Sequence, residues 1–144
     1  GACYGHQASA VALGGKVEAN PDGWVFGLIQ SNIHSRAPWT QRLPDTYGEY
    51  AAHVEAVTQL PADAEVLSTS STCAVTGYRI KNSVYTTQNH PEMTPEFIKA
   101  LVDEYQFKLP KEVAMAAKNS LSQMADTQAY AQSIALFFEG TSVD

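Results

Sequence analysis

Features that would place this chain in several large classes of protein are missing from its sequence. Its nine lysines and arginines form no basic run, and 15 acidic residues bring the formal net charge to −6. A nucleic-acid partner is therefore not expected, because such surfaces need clustered positive charge. No apolar stretch approaches the roughly 20 residues that span a bilayer, so no membrane partner is expected either.

Cysteine and histidine are also scarce. The two cysteines, Cys3 and Cys73, lie seventy positions apart and make no disulfide framework, which favours a reducing, cytoplasmic compartment. The four histidines include no short-spaced pair, whereas a metal site needs several converging ligands. Gly14-Gly15-Lys16 lacks the upstream glycine and the following Ser or Thr of a phosphate-binding loop. We therefore expect no metal and no cofactor.

What the chain does contain is a cysteine between two glycines, in the opening stretch Gly-Ala-Cys-Tyr-Gly-His-Gln of residues 1–7. This stretch has the form of a nucleophile elbow, in which a strand turns sharply into a helix and glycines keep bulk away from the turn. The thiol of Cys3 would stand at the helix N-terminus, where unpaired N–H groups and the helix dipole favour thiolate. We predict Cys3 as a nucleophile and assign Cys73 a structural role.

The candidate proton carrier is His90, in the stretch Gln-Asn-His-Pro-Glu of residues 88–92. Glu92 follows two residues later, and residues two apart in an extended chain point to the same side, so its carboxylate can orient the imidazole. A thiolate nucleophile needs such a histidine to protonate the leaving group and then to activate water. Cys3, His90 and Glu92 therefore predict a Cys-His-Glu constellation for acyl transfer.

These motifs carry a family resemblance. The stretch 1–7, Ala-Leu-Gly-Gly-Lys-Val at 12–17 and His-Pro-Glu at 90–92 resemble, in this order, the class I (triad) glutamine amidotransferase domain. The resemblance extends from residue 1 to about residue 101. Asn-Pro-Asp-Gly-Trp-Val-Phe-Gly at 20–27 is similar to the stand-alone branch, related to the amidotransferase domain of GMP synthetase and to γ-glutamyl peptidases.

The resemblance implies further site residues. The backbone N–H of Tyr4 would donate to the oxyanion, with a second donor from the N-terminal part of the domain. Gln7, one helical turn past the nucleophile, would hold the α-amino and α-carboxylate groups of the substrate through its amide. His53 would lie near the substrate, with Ala51 where relatives usually carry a serine.

The fold that the resemblance implies is α/β, the three-layer, flavodoxin-like fold of class I glutamine amidotransferases, here without its N-terminal strands. An elbow needs a strand to deliver the nucleophile, and this chain begins at the elbow. We therefore expect residues 1–144 to be the C-terminal part of a single domain whose N-terminal part is absent from the chain.

Hydrophobic periodicity and turn residues predict the elements after the elbow. Helices are expected over residues 5–13, 111–124 and 127–138, and another is expected to start after Thr94 as its N-cap. Met124 and Phe138 belong to the apolar stripes of the last two helices and are expected in the core. One strand is expected to start at Val17, and two more are expected over 24–33 and 65–70. Residues 74–80 and 84–88 are expected to form a hairpin. Residues 35–50 predict a loop that contains at most a short helix.

Three functions remain open from the sequence. We predict hydrolysis of a γ-glutamyl amide, in glutamine or another γ-glutamyl compound, through a γ-glutamyl thioester. The acceptor of the ammonia stays open, and a synthetase partner is one candidate. One alternative is a stand-alone γ-glutamyl peptide hydrolase. The other is a non-catalytic relative used for binding, against which the intact Cys3, His90 and Glu92 argue.

Overall fold

Strands and helices succeed one another along residues 1–140, which the computed structural model describes. The helices are α1 (Tyr4–Ala12), α2 (Pro95–Tyr105), α3 (Lys111–Ser120) and α4 (Thr127–Gly140), with a short 3-10 helix at Pro38–Thr40. The strands are β1 (Lys16–Ala19), β2 (Val25–Ile33), β3 (Thr46–His53), β4 (Glu55–Gln59), β5 (Ala64–Thr69), β6 (Gly77–Ile80) and β7 (Val84–Thr87). The predicted α/β class is confirmed.

Five of the strands form one sheet in the order β3-β2-β5-β6-β7, and each neighbouring pair is antiparallel. The short connections between β5 and β6 and between β6 and β7 permit antiparallel pairing, whereas a parallel pair needs a crossover of a dozen or more residues. Residues 81–83 join β6 to β7 as the predicted hairpin requires. Strands β1 and β4 form a separate two-stranded sheet.

Helices cover both faces of the five-stranded sheet. Tyr50 belongs to an apolar cluster with Ile98 and Val102 of α2, whereas Tyr47 belongs to another with Tyr130 of α4. Because residues an odd number of positions apart on a strand point to opposite faces, α2 and α4 lie on opposite sides. The predicted three-layer arrangement is thus present within residues 1–140. No helix in this part of the chain has the length and apolar character needed to cross a bilayer.

The prediction of a loop over residues 35–50 is wrong at its end, because β3 already begins at Thr46. Tyr47 pairs with Ser31, and Glu49 pairs with Ile29 of β2. A half-buried strand is marked by alternating apolar and polar residues. Gly48 and the charged Glu49 interrupt this alternation in the sequence.

Two side chains expected in the core are exposed instead. Met124 is 90% exposed and Phe138 is 64% exposed. The predicted helix 111–124 ends at Ser120, whose hydroxyl donates to Ala117 O and accepts from the backbone N–H of Leu28. A side chain that hydrogen-bonds the backbone in this way competes with helix continuation, and Met124 therefore lies outside α3.

Gly27 of β2 lies against α3, and Gly27→Ala is expected to lower the free energy of unfolding by about 2–5 kcal/mol. Its φ is 96°, which strains any other residue. A Cβ would also lie 2.6 Å from Ser120 Oγ and 2.7 Å from Ala117 Cα. Urea unfolding of the intact protein measures the loss.

Gly23→Ala is the matched control for Gly27→Ala. Gly23 has a φ of 76°, but its Cβ would meet nothing within 4 Å. This variant should lose only the backbone strain, about 1–2 kcal/mol. Equal losses in the two variants would contradict a steric clash between β2 and α3.

Candidate active site

The stretch before α1 runs beside β7 and brings Cys3 to the end of that strand. The Thr87 N–H donates to Gly1 O, and the Cys3 N–H donates to Thr87 O, each at 2.9 Å. Ala2 and Thr87 thereby form a parallel bridge, and α1 begins at Tyr4. Cys3 thus sits at an extended-to-helix turn, the geometry that the elbow motif predicts.

The backbone of Cys3 is strained, with φ 45° and ψ −105°. A non-glycine residue with positive φ costs of order 1–3 kcal/mol and persists only where its surroundings enforce it. A Cβ on Gly1 would lie 2.8 Å from Gly5 C and O, so the expected need for a small residue is confirmed there. The same expectation is wrong at Gly5, where a Cβ would meet nothing within 4 Å.

His90 follows β7 by three residues and is held by both its backbone and its ring. Its N–H donates to Tyr50 O at 2.7 Å. Its Nδ1 lies 2.7 Å from Glu92 Oε1 and donates to that carboxylate. The two-residue spacing therefore does pair the two side chains, and Nε2 is left for a second partner.

The thiol of Cys3 lies close enough to His90 to affect its pKa. Burial lowers the pKa of His90, but hydrogen bonds to Cys3 and Glu92, together with the charges of both groups, outweigh it and raise the pKa to about 9. The imidazole is therefore protonated at neutral pH. Cys3, His90 and Glu92 lie together, although 87 positions separate Cys3 from His90 along the chain.

Gln88 contacts Cys3, although the sequence motifs predicted no role for it. Gln88 is wholly buried, and its Nε2 donates to Cys3 Sγ with 3.8 Å between nitrogen and sulfur. Its Oε1 accepts from Gln7 Nε2 at 3.2 Å, and Gln7 Nε2 also donates to Glu55 O at 3.0 Å. Both N–H groups of the Gln7 amide are thus used inside the protein, which leaves its Oε1 for a substrate donor.

One sequence signal could have identified Gln88. Residues 86–89, Thr-Thr-Gln-Asn, are four consecutive uncharged polar residues that end a strand and precede His90. All four are buried. Buried polar groups cost free energy unless they are hydrogen-bonded, so such a run indicates an organised polar site.

His53 lies at the edge of the same cluster. It is 5% exposed, and its Nδ1 donates to Glu55 O at 2.9 Å. Burial and the charge of His90 lower the pKa of His53, whereas the hydrogen bond to Glu55 O raises it. The net result is a pKa of about 4. His53 is therefore neutral at pH 7, and its buried Nε2 has no hydrogen-bond partner among residues 1–140.

Tyr4 is the first residue of α1, so its backbone N–H has no partner within the helix. Its side chain points away from the core and is 80% exposed. Histidine, cysteine and carboxylate side chains form no group of three or more in residues 1–140 that could hold a metal ion. The cluster itself contains a thiol, an imidazolium and a carboxylate.

Comparison with known proteins places this site in a family. The family model described as glutamine amidotransferase class-I matches residues 1–104. The chain belongs to the class I glutamine amidotransferase family, as the resemblance predicted.

Two relatives and one solved structure show how far the similarity reaches. A glutamine-hydrolysing GMP synthase of Clostridium novyi is 31% identical over 94 residues, covering 65% of this chain and 18% of that protein. A glutamine-hydrolysing GMP synthase subunit from Methanococcus vannielii is 30% identical over 95 residues, covering 65% of this chain and 50% of that protein. The chain thus matches at most half the length of either relative.

The crystal structure of a glutamine amidotransferase from Methylobacillus flagellatus superposes with a TM-score of 0.76. The two sequences are 18% identical, and the superposition covers 97% of this chain and 61% of the Methylobacillus chain. At this identity the superposition shows the fold alone, and it confirms the predicted class I glutamine amidotransferase fold.

Proposed function

We propose that the intact protein hydrolyses a γ-glutamyl amide through a γ-glutamyl thioester on Cys3. One observation carries the proposal: Cys3 lies at a strained turn beside His90, whose Nδ1 binds the carboxylate of Glu92 at 2.7 Å. Membership of the class I glutamine amidotransferase family supports glutamine hydrolysis as the reaction.

The reaction takes place in two halves. The Cys3 sulfur attacks the side-chain carbonyl carbon, the C–S bond forms and the C–N bond breaks, while the His90 imidazolium gives its proton to the departing ammonia or amine. Water then attacks the thioester, His90 takes a proton from it, the C–S bond breaks and glutamate leaves. The pKa of about 9 suits the first half, since His90 is already protonated at neutral pH.

The backbone N–H of Tyr4 stabilises the oxyanion of the tetrahedral intermediate, because it is an unpaired donor directly after the nucleophile. Loss of one such donor typically costs about 10²- to 10³-fold in rate. Gln7 Oε1 accepts from the substrate α-ammonium, and His53 lies beside this contact, since its Nδ1 and Gln7 Nε2 both donate to Glu55 O.

Delivery of the ammonia to a synthetase partner is the second part of the proposal. The relative from Methanococcus vannielii is named as one subunit of a GMP synthase, which favours this acceptor chemistry over the hydrolysis of peptides. The stand-alone γ-glutamyl peptide hydrolase and the non-catalytic binding protein remain the competing functions.

The test is glutamate release by the intact protein, without any partner, from glutamine and from a γ-glutamyl dipeptide side by side. Release from glutamine that exceeds release from the dipeptide is the expected result. Faster release from the dipeptide would instead make the protein a γ-glutamyl peptide hydrolase. If neither substrate releases glutamate, the protein is treated with a glutamine-derived chloroketone, and mass spectrometry then shows whether Cys3 is labelled.

The chloroketone labels a nucleophilic thiol that has a glutamine pocket beside it. Labelling of Cys3 that glutamine prevents would indicate an amidotransferase that needs its synthetase for turnover. No labelling and no release would contradict the proposed function and leave a binding protein.

A further inference from the structure

A buried carboxyl group that the proposed reaction does not use lies under the catalytic loop. Glu49, in the middle of β3, is 1% exposed. Thr87 Oγ1 donates to it, with distances of 3.2 and 3.1 Å to its two oxygens. Burying a carboxyl group costs free energy unless hydrogen bonds compensate for it, and these contacts supply part of that compensation.

Thr87 links Glu49 to both halves of the site. On the side of Cys3, its backbone N–H donates to Gly1 O, and its C=O accepts from the Cys3 N–H. Its hydroxyl oxygen also accepts from the backbone N–H of Asn89 at 3.1 Å, on the histidine side. The side chain of Thr87 is therefore fixed by Glu49, while its backbone fixes the turn that carries Cys3.

The residue after Glu49 completes the arrangement. Tyr50 O accepts from the backbone N–H of His90 at 2.7 Å. Two consecutive residues of β3 thus hold the loop 87–90. The side chain of Glu49 holds its first residue, and the backbone carbonyl of Tyr50 holds its last. Since β3 is buried along most of its length, the support is rigid.

We propose that Glu49 is a positioning residue, which holds the loop 87–90 so that His90 and Cys3 keep their mutual distance. The inference rests on the proposed function, because the placement of His90 matters only if His90 transfers the proton. Glu49 acts through Thr87 and touches neither the substrate nor the reacting atoms.

The protonation of Glu49 decides which substitution can replace it. Burial raises its pKa to about 8, while the Thr87 hydroxyl, the nearby Asn89 amide and the charge of His90 oppose the rise. At pH 7 the carboxyl group is therefore mostly neutral. Glutamine has nearly the same shape as a neutral glutamic acid and keeps a carbonyl acceptor for the Thr87 hydroxyl, whereas leucine keeps only the volume.

The experiment compares Glu49→Gln and Glu49→Leu in the intact protein, with Glu65→Gln as control. Glu65 is a half-exposed carboxylate on β5, paired with Arg79 and remote from the loop. Two quantities are measured at pH 7 and over a pH series: kcat and KM for glutamate release, and the titration midpoint of the His90 ring by NMR.

Glu49→Leu should lower kcat by about 10- to 100-fold at unchanged KM, because small misplacements of catalytic groups have effects of this size. It should also move the His90 midpoint from about 9 toward the ordinary value of about 6.5. Glu49→Gln should behave like the wild type and like Glu65→Gln. A change in global stability alone would not move the His90 midpoint.

Two results would overturn the inference: a Glu49→Leu variant with unchanged kcat and His90 midpoint, or a Glu49→Gln variant as impaired as Glu49→Leu. If Glu49→Leu does not fold, Thr87→Val and Thr87→Ser replace it, and only the serine variant should keep both quantities. If the wild type neither releases glutamate nor is labelled by the chloroketone at Cys3, the proposed function fails, and the His90 midpoint alone decides whether Glu49 positions the loop.

Discussion

Replacing Cys3 with alanine is expected to abolish glutamate release, with a fall in rate of at least about 10⁴-fold. A reaction through a covalent thioester has no route without the sulfur, and loss of the nucleophile is among the largest effects known for single substitutions in such sites. The fold should survive, because alanine keeps the Cβ and adds no bulk at the turn. Glutamate release and thermal unfolding of the intact protein check both parts.

Two further cysteine variants act as controls. Cys3→Gly should be equally inactive but about 1–2 kcal/mol more stable than Cys3→Ala, since glycine adopts a φ of 45° without strain. Cys73→Ala should stay active, because Cys73 is buried with its Sγ donating to Val75 O at 3.5 Å. Substantial activity of Cys3→Ala would eliminate Cys3 as the nucleophile.

Replacing His90 with alanine is expected to lower kcat by about 10²- to 10⁴-fold, the usual size of general acid–base catalysis. His90 serves in both halves of the proposed reaction, first as acid and then as base. Glu92→Gln should cost less, because the Glu92 side chain is 64% exposed and acts only through His90. If Glu92→Gln were as inactive as His90→Ala, the carboxylate would have a more direct role than orientation.

The same pair predicts a pH dependence of stability. The pKa of folded His90 is raised to about 9, because hydrogen bonds to Cys3 and Glu92 outweigh burial, while the unfolded value is about 6.5. Its contribution to stability is therefore fully present below pH 6.5 and is lost as the pH rises through 9. Glu92→Gln should be destabilised most below pH 6.5 and should match the wild type above pH 9.

Urea unfolding of both proteins at pH 6 and pH 9.5 measures this difference. The solvent exposure of Glu92 screens the pair, so the effect should be modest and should shrink in high salt. A destabilisation of Glu92→Gln that grows with pH would show that the hydrogen bond does not favour the imidazolium.

Much of the fold could be predicted from local patterns. The helix that begins after Thr94 is marked by its N-cap and by proline at the first position, and the Thr94 hydroxyl does accept from the Phe97 N–H at 3.3 Å. The hairpin of β6 and β7 is marked by its length and turn residues. Such signals are local, so they need no knowledge of the rest of the chain.

Buried polar residues are where local patterns failed. The start of β3 was missed because Glu49 has the composition of an exposed residue, and hydrophobic alternation assigns a charged side chain to the solvent face. Its burial depends on Thr87, 38 positions later, and on the tyrosines of the layer beneath. No window along the sequence contains both partners.

The sequence by itself determined the residue types of the site, their order and their local geometry. A cysteine between two glycines at the start of a helix, and a glutamate two residues after a histidine, are short-range patterns, and the predicted chemistry rests on them. Only the tertiary structure decided that Cys3 and His90 meet, that Gln88 binds the sulfur and that Glu49 supports the loop. These contacts join residues 38 to 87 positions apart, and they form because the turn before α1 bridges to the end of β7 while the loop after β7 bridges back to β3.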